Sequence, residues 1–339
     1  MQNLISKLCA TSGVSGGEKL VAEIAADELS KCADIYLDTN FNNVFGRIGS
    51  ARAKKRVLLD AHIDQIGLIV TRVEDGFLRV ASCGSLDSRI LAGSAVKIFG
   101  KQELIGVVSS VPPHLSDKKD KITPVKEICI DTALSKEEAE NLIPIGSYVA
   151  FLDSGSKLLG KRICACGLDN RSSVAALILC ARLIHEANLD WDEIGCSINF
   201  LFSSREEIGG YVGAKIGSYV IDPTEAIVLD VSFATQPGVD CQRAGELSKG
   251  PLLGVAPSLS KRLLDVFSSI AFDNNIPYQL EVMSDRTGTN ADAICTNAQG
   301  VETFLVSMPL RYMHTPYEVM DLEDIENTVR LLSAYFLGY

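Results

Sequence analysis

Four short segments of this chain are apolar almost throughout: VLLDA (57–61), INFLF (198–202), AIVL (226–229) and FLVSM (304–308). A strand with one face in water alternates apolar and polar residues. A near-continuous apolar run requires cover on both faces. The cover is legible between the runs. SSVAALILCARLIHEA (172–187), SLSKRLLDVFSSIAFDNN (258–275) and LEDIENTVRLLSAYFLGY (322–339) have helical spacing. Further strands are read at NNVFGRIG (42–49) and YQLEVM (278–283). Near the N-terminus, Ser15-Gly16-Gly17-Glu18 has the form of a capping box. It predicts a helix burying Leu20, Val21, Ile24, Ala25 and Leu29. Strands alternating with helices imply an α/β fold: an open, mostly parallel central sheet with helices on both faces.

Between residues 67 and 156 the texture changes. LIVTRV, FLRVAS, SAVKIFG, LIGVVSSV, EICIDTA and SYVAFL are short, β-branched and broken by Gly, Pro and Asp. Helical periodicity surfaces only near Lys136–Asn141. This stretch predicts a small all-β insert domain, sandwich or barrel. The expected organisation is a discontinuous α/β domain, 1–66 and 157–339, interrupted by a β-rich insert, 67–156. At 339 residues and 47% hydrophobic, the chain can bury a sizeable core.

Charge narrows the partners. The formal net charge is −11, with 43 acidic against 32 basic residues. Phosphate backbones need clustered Lys and Arg, so nucleic acid is excluded as the main partner. The basic cluster Lys118-Lys119-Asp120-Lys121 is short and interrupted, and reads as a solvated loop. No apolar run approaches the ~20 residues of a membrane helix, and the polar start MQNLISKLCATSGVSGGE does not read as a signal peptide. A cytoplasmic protein is expected. The ten cysteines form no C-x-x-C pair. They read as reduced, mostly buried thiols, Cys164 and Cys166 included.

Only four histidines occur. His62 follows the first apolar run, and His314 follows the last. Glu206 and Glu207 follow the second, and Asp230 follows the third. Asp169 stands just before the helix that begins near Asn170-Arg171. Ligands of open α/β sheets bind beyond the carboxyl ends of the strands. Any one of these acids alone reads as a turn former, and Asp169-Asn170 alone reads as a helix cap. His185 reads as structural, and His114, after Pro112-Pro113, reads as a loop residue. Their joint placement at strand ends is what points to a site. His, Asp and Glu are ligands for zinc and similar divalent ions. His62, Asp169, Glu207, Asp230 and His314 are too many for one open catalytic ion. They suit two ions sharing a carboxylate and clamping a water.

The order HxD, LDNR, EEIG, a strand reaching Asp230 and RYMHTPYE resembles the tetrahedral aminopeptidases, the dinuclear metallopeptidases of family forty-two. This group includes glutamyl and deblocking aminopeptidases. TSGVSGGE, GSLDSRILAG, PPH, GELSKGP, IPYQLE and GTNADA extend the resemblance over nearly the whole chain. It implies His62, Asp169 and Asp230 on one metal, and Asp169, Glu207 and His314 on the other, with Asp169 bridging. It implies Asp64 as the group orienting His62, and Glu206 as the general base. It further implies two zinc or cobalt ions per chain and peptide substrates. The insert would serve assembly into a homo-oligomer, a dodecamer built from dimers, with sites facing an interior chamber. Three features depart from the pattern: Gln65 in place of Glu, Ser172-Ser173 in place of an apolar–Gly pair, and Asn290 in place of Asp. The segment EEIGGYVGA is also one residue longer than the common form.

The expected activity is therefore removal of N-terminal residues from peptides. A dipeptidase or carboxypeptidase of similar fold is the alternative enzyme. A non-catalytic, metal-stabilised assembly protein is the alternative outside enzymes, and Glu206, which is no expected ligand, argues against it. Endoglucanase activity fits less well: glycosidase carboxylates flank one bond at roughly 5–9.5 Å and need no histidine pair.

Overall fold

The computed structural model describes residues 1–111, 122–152 and 155–338. The calls on Pro112-Pro113-His114 and on Lys118–Lys121 lie outside the described residues.

The chain opens with helices α1 (Gln2–Cys9) and α2 (Lys19–Leu29), then strands β1 (Asp34–Leu37), β2 (Val44–Ile48) and β3 (Lys55–His62). The next segment supplies β4 (Gly67–Glu74), β5 (Phe77–Cys83), β6 (Ala95–Phe99), β7 (Glu103–Val108), β8 (Cys129–Asp131), helix α3 (Lys136–Leu142) and β9 (Tyr148–Phe151). These six strands close into a barrel in the order β4-β5-β8-β7-β6-β9, every pairing antiparallel. Leu68, Val70, Leu78, Val80, Val96, Ile98, Ile130 and Val149 fill it, a core separate from that of the large sheet. The chain returns through β10 (Ser156–Lys157), β11 (Arg162–Ala165), α4 (Leu168–Glu186), α5 (Trp191–Ile194) and β12 (Cys196–Ser203). Then follow α6 (Val212–Ile221), β13 (Glu225–Phe233), β14 (Leu252–Val255), α7 (Lys261–Asp273), β15 (Gln279–Val282), α8 (Ala291–Ile294), β16 (Glu302–Leu310), β17 (Glu318–Asp321) and α9 (Leu322–Leu337).

The large sheet has eight strands in the order β1-β2-β12-β3-β13-β16-β14-β15. Its centre, β12-β3-β13-β16, is parallel; β2 and β14 join antiparallel. Successive side chains of a strand face opposite sides, and the packing follows. Val57, Leu59, Ala61, Ile227 and Leu229 meet α1, α2, α4 and α9 on one face. Leu58, Ala226 and Val228 meet α6 and α8 on the other. That two-sided burial is why the strand sequences do not alternate.

The capping box is not formed. The helix begins at Lys19 with Glu18 at the N-cap position and no side-chain cap. Ser15 Oγ instead donates to Asp64 Oδ2 at 2.6 Å, and Glu18 Oε1 accepts from the Gly16 N–H at 2.6 Å. Val21, Ala25 and Leu29 are buried as expected, whereas Leu20 is exposed. Four helices escaped the sequence reading, the one-turn α5 and α8 and the longer α1 and α6. Of the longer two, α1 ends against the fully buried Arg171, whose Nη1 donates to the carbonyls of Leu8 (2.6 Å) and Thr11. The other, α6, is held to the end of β12 because residue 213 is glycine. A Cβ there would lie 2.4 Å from the Ser204 backbone.

Candidate metal centre

Register builds the site. Ser203 pairs with His62 across β12 and β3, and Asp230 pairs with Ser307 across β13 and β16. Val228 pairs with Asp60 two residues earlier, which brings Asp230 level with His62. One row across four parallel strands thus reads Ser203, His62, Asp230, Ser307. Strand β13 continues three residues beyond Asp230, so this acid lies within the strand rather than at its end.

Loops bring in the other groups. Glu206 and Glu207 lie between β12 and α6, on a turn with Arg205, Gly209, Gly210 and Tyr211 all at positive φ. The two glycines take that conformation without strain. Asp169 and Asn170 carry non-helical dihedrals at the head of α4, so regular helix starts at Arg171. His314 follows β16 in the left-handed region.

The side chains converge. His62 Nε2 lies 3.1 Å from Asp169 Oδ1 and 3.7 Å from Asp230 Oδ1. His314 Nε2 lies 3.1 Å from Glu207 Oε2 and 3.4 Å from Asp169 Oδ2. Asp169 therefore faces both imidazoles, one with each oxygen. Donor atoms of His62, Asp169 and Glu207 lie within 4.8 Å of one another. All five sequence-predicted ligand candidates meet here and, with Glu206, line a cavity of about 1190 Å³.

Asp64 works from behind. Its Oδ1 stands 3.4 Å from His62 Nδ1. The same carboxylate accepts the backbone N–H groups of Glu206 (3.0 Å) and Glu207 (3.1 Å) and the Ser15 hydroxyl. One buried acid thereby fixes an imidazole and the turn carrying both glutamates. Glu318 does the same on the opposite side, and sequence reasoning assigned it no role. It accepts from the backbone N–H of Asp169 at 3.2 Å and of His314 at 3.0 Å. Its signal was present: it closes RYMHTPYE, four residues after His314.

Charge within this cluster is unbalanced. Burial pushes the Glu206 carboxyl up to about 9 and that of Asp230 up to about 8, against the pull of His62. Burial raises Glu207 as well, with Asp169 adding to it, and drives Glu318 far above the carboxylate range. Asp169 runs the other way: burial alone would raise it, but bonds to His314 and His62 hold it low. Burial would lower His314, yet Asp169 and Glu207 hold it at about 11. Acids crowded around two imidazoles retain protons for want of positive charge. Divalent cations fit that want, and the donor set is the imidazole–carboxylate set such ions take.

The departing residues make specific bonds. Asn290 Nδ2 donates to Asp60 Oδ2 (2.9 Å) and Ser203 Oγ (2.8 Å), directly beneath the row. Ser172 Oγ donates to the Leu168 carbonyl, and Ser173 Oγ donates to the Asp230 carbonyl. Gln65 Nε2 lies 3.9 Å from Cys166 Sγ, while its backbone pairs with Gly13 and Ser15.

An α/β sheet interrupted by a β-barrel, with acids and imidazoles gathered at the carboxyl edge of its parallel strands, is the architecture of a peptidase-type hydrolase. The chain belongs to the M42 glutamyl aminopeptidase family, whose model matches residues 42–331. It is 34% identical to the lysyl aminopeptidase of Pyrococcus furiosus, over 98% of this chain and 95% of that one. Its structure is similar to a TET aminopeptidase from a marine sediment Thaumarchaeota archaeon, with TM-score 0.89, 26% identity and coverage of 98% and 95%. It is also similar to PhTET1-12s, solved as a dodecamer, with TM-score 0.85, 30% identity and coverage of 99% and 98%. No helix among the described residues is long and apolar enough to cross a membrane.

Proposed function

We propose that this M42-family aminopeptidase removes N-terminal residues from peptides with two divalent ions, zinc or cobalt, per chain. His62, Asp169 and Asp230 would hold one ion. Asp169, Glu207 and His314 would hold the other. When bound, such a pair polarises a carbonyl and acidifies water. Glu206 would take the proton of the attacking water and return it to the leaving amine as the C–N bond breaks. Asp64 would keep His62 and both glutamates in register for this exchange, and Glu318 would steady the backbone of Asp169 and His314. The acid-rich cavity would favour a free, cationic amino terminus. The observation that carries the reading is Asp169 facing His62 with one oxygen and His314 with the other. A homo-oligomer, a dodecamer using the barrel in assembly, and a cytoplasmic location complete the proposal.

The test is metal content against activity. Zinc- or cobalt-loaded protein should carry about two ions per chain, exhaustive chelation should abolish cleavage of free-amino peptides, and reloading should restore it. Cleavage that survives chelation would remove the mechanism. Cleavage of amino-blocked peptides would favour a carboxypeptidase instead.

A further inference from the structure

The turn that carries both glutamates ends in a polar group that the proposed hydrolysis does not use. Tyr211 follows Gly209 and Gly210 and heads α6, in the segment that is one residue longer than the common form. Its backbone sits in the left-handed region, at a φ of 52°. A glycine adopts that conformation without strain, whereas a bulky side chain there is an outlier. The side chain kept in spite of this is half-buried, and it lines the cavity with Glu206, Asp230 and His314.

The surroundings fix where its hydroxyl can act. The ring packs against the apolar cluster that includes Ala214, Ala291 and Leu305, so the aromatic body is held. The hydroxyl makes no hydrogen bond to any described residue. The charged groups near it are Glu206, Asp292, Arg286 and Asp230. Asp292 is already occupied: it accepts the backbone N–H groups of Thr287 (3.0 Å) and Gly288 (3.1 Å) and the Thr287 hydroxyl (2.9 Å). Arg286 is exposed at the rim. The hydroxyl is left with the space beside Glu206. Burial, with Glu206 adding to it, raises the phenol above its ordinary value, so it stays protonated and a donor through neutral pH. A general base must stand within hydrogen-bond reach of the water it activates. The carbonyl that this water attacks therefore lies in the same space.

We infer that Tyr211 is a further catalytic residue, whose hydroxyl donates a hydrogen bond to the oxygen of the scissile carbonyl. As water adds to the carbonyl carbon, the π pair moves onto that oxygen and the hydrogen bond strengthens. Tyr211 keeps its proton throughout, and Glu206 carries the water's proton to the leaving amine. The inference rests on the aminopeptidase reading and deepens it. Tyr211→Phe removes the hydroxyl and keeps the ring. On zinc-loaded protein, with the aminoacyl anilide that is cleaved fastest, kcat should fall about 10²- to 10³-fold with KM little changed, the worth of one oxyanion donor. Calorimetry adds a readout without turnover. The phosphonic acid analogue of leucine presents a tetrahedral oxyanion, and isopentylamine has the same stem and amine without it. The substitution should weaken the phosphonate about 10- to 100-fold and leave the amine unchanged. An unchanged kcat, a raised KM alone, or equal weakening of both ligands overturns the role. If the unsubstituted protein cleaves no aminoacyl substrate, the aminopeptidase reading falls by itself, and the calorimetry still decides whether Tyr211 meets the oxyanion.

Discussion

At the scale of single residues, the adjacent glutamates divide one turn between two tasks. Glu207 reaches His314, whereas Glu206 lines the cavity outside the compact donor group. Glu206→Gln keeps shape but removes the base. Turnover should fall at least about a hundredfold with both ions retained, since general base catalysis contributes ~10²–10⁴-fold. Glu207→Ala should instead release one ion and respond to added metal. Metal loss in the first variant but not the second would reverse the assignment. Glu318 gives a separate prediction. Removing a supporting group typically costs 10–100-fold in metal affinity, so Glu318→Ala should weaken binding by about that much without touching a donor. Competition against a chelating dye measures it, and unchanged affinity would leave Glu318 a structural acid only. Four of the donor candidates were legible because each sits on or just past an apolar strand, and Asp169 because it heads a long apolar helix. Glu318 stood in the quoted RYMHTPYE, but its role was not legible there, because that role lies in the backbone N–H groups of Asp169 and His314 that it meets across the fold.

Among elements, the parallel strands and long helices were legible because burial on two faces leaves continuous apolar runs. The N-terminal cap was misread because the helix begins only at Lys19, too late for Ser15 to cap it, while the Ser15 hydroxyl donates to Asp64, 49 positions away. Helix α6 was hidden because VGAKIGSYVI uses glycines for close packing, where a helix normally avoids them. The start of α9 supplies a test of burial. Asp324 accepts the backbone N–H groups of Ser248 and Gly250, yet burial raises its carboxyl to about 7. A group raised above its unfolded value stabilises fully below the unfolded pKa and loses that contribution as pH climbs through the folded one. Melting temperature should therefore decline between roughly pH 4 and pH 8, and the decline should be shallower in Asp324→Asn. An identical slope would clear Asp324 of the effect.

For the whole molecule, the prediction is assembly. Light scattering should find a homo-oligomer, with a dodecamer expected and a dimer as the smaller alternative. A chain joined from Ile66 to Lys157, without the barrel, should give a smaller species. A monomer at every concentration would refute the assembly role. The barrel carries one more consequence. Its first and last strands, β4 and β9, are hydrogen-bonded neighbours, with Leu68 opposite Val149. His62 and Asp169, which stand 3.1 Å apart, lie on either side of it and are separated by 107 positions in sequence. Bringing such distant positions together ordinarily costs loop-closure entropy that grows with the length between them. Here the excursion is stapled at its own base, so the rest of the chain experiences a short connection. Loops at the far end of the barrel can lengthen, shorten or change character without altering the spacing of the two residues, which leaves that surface free to diversify while the chemistry stays fixed.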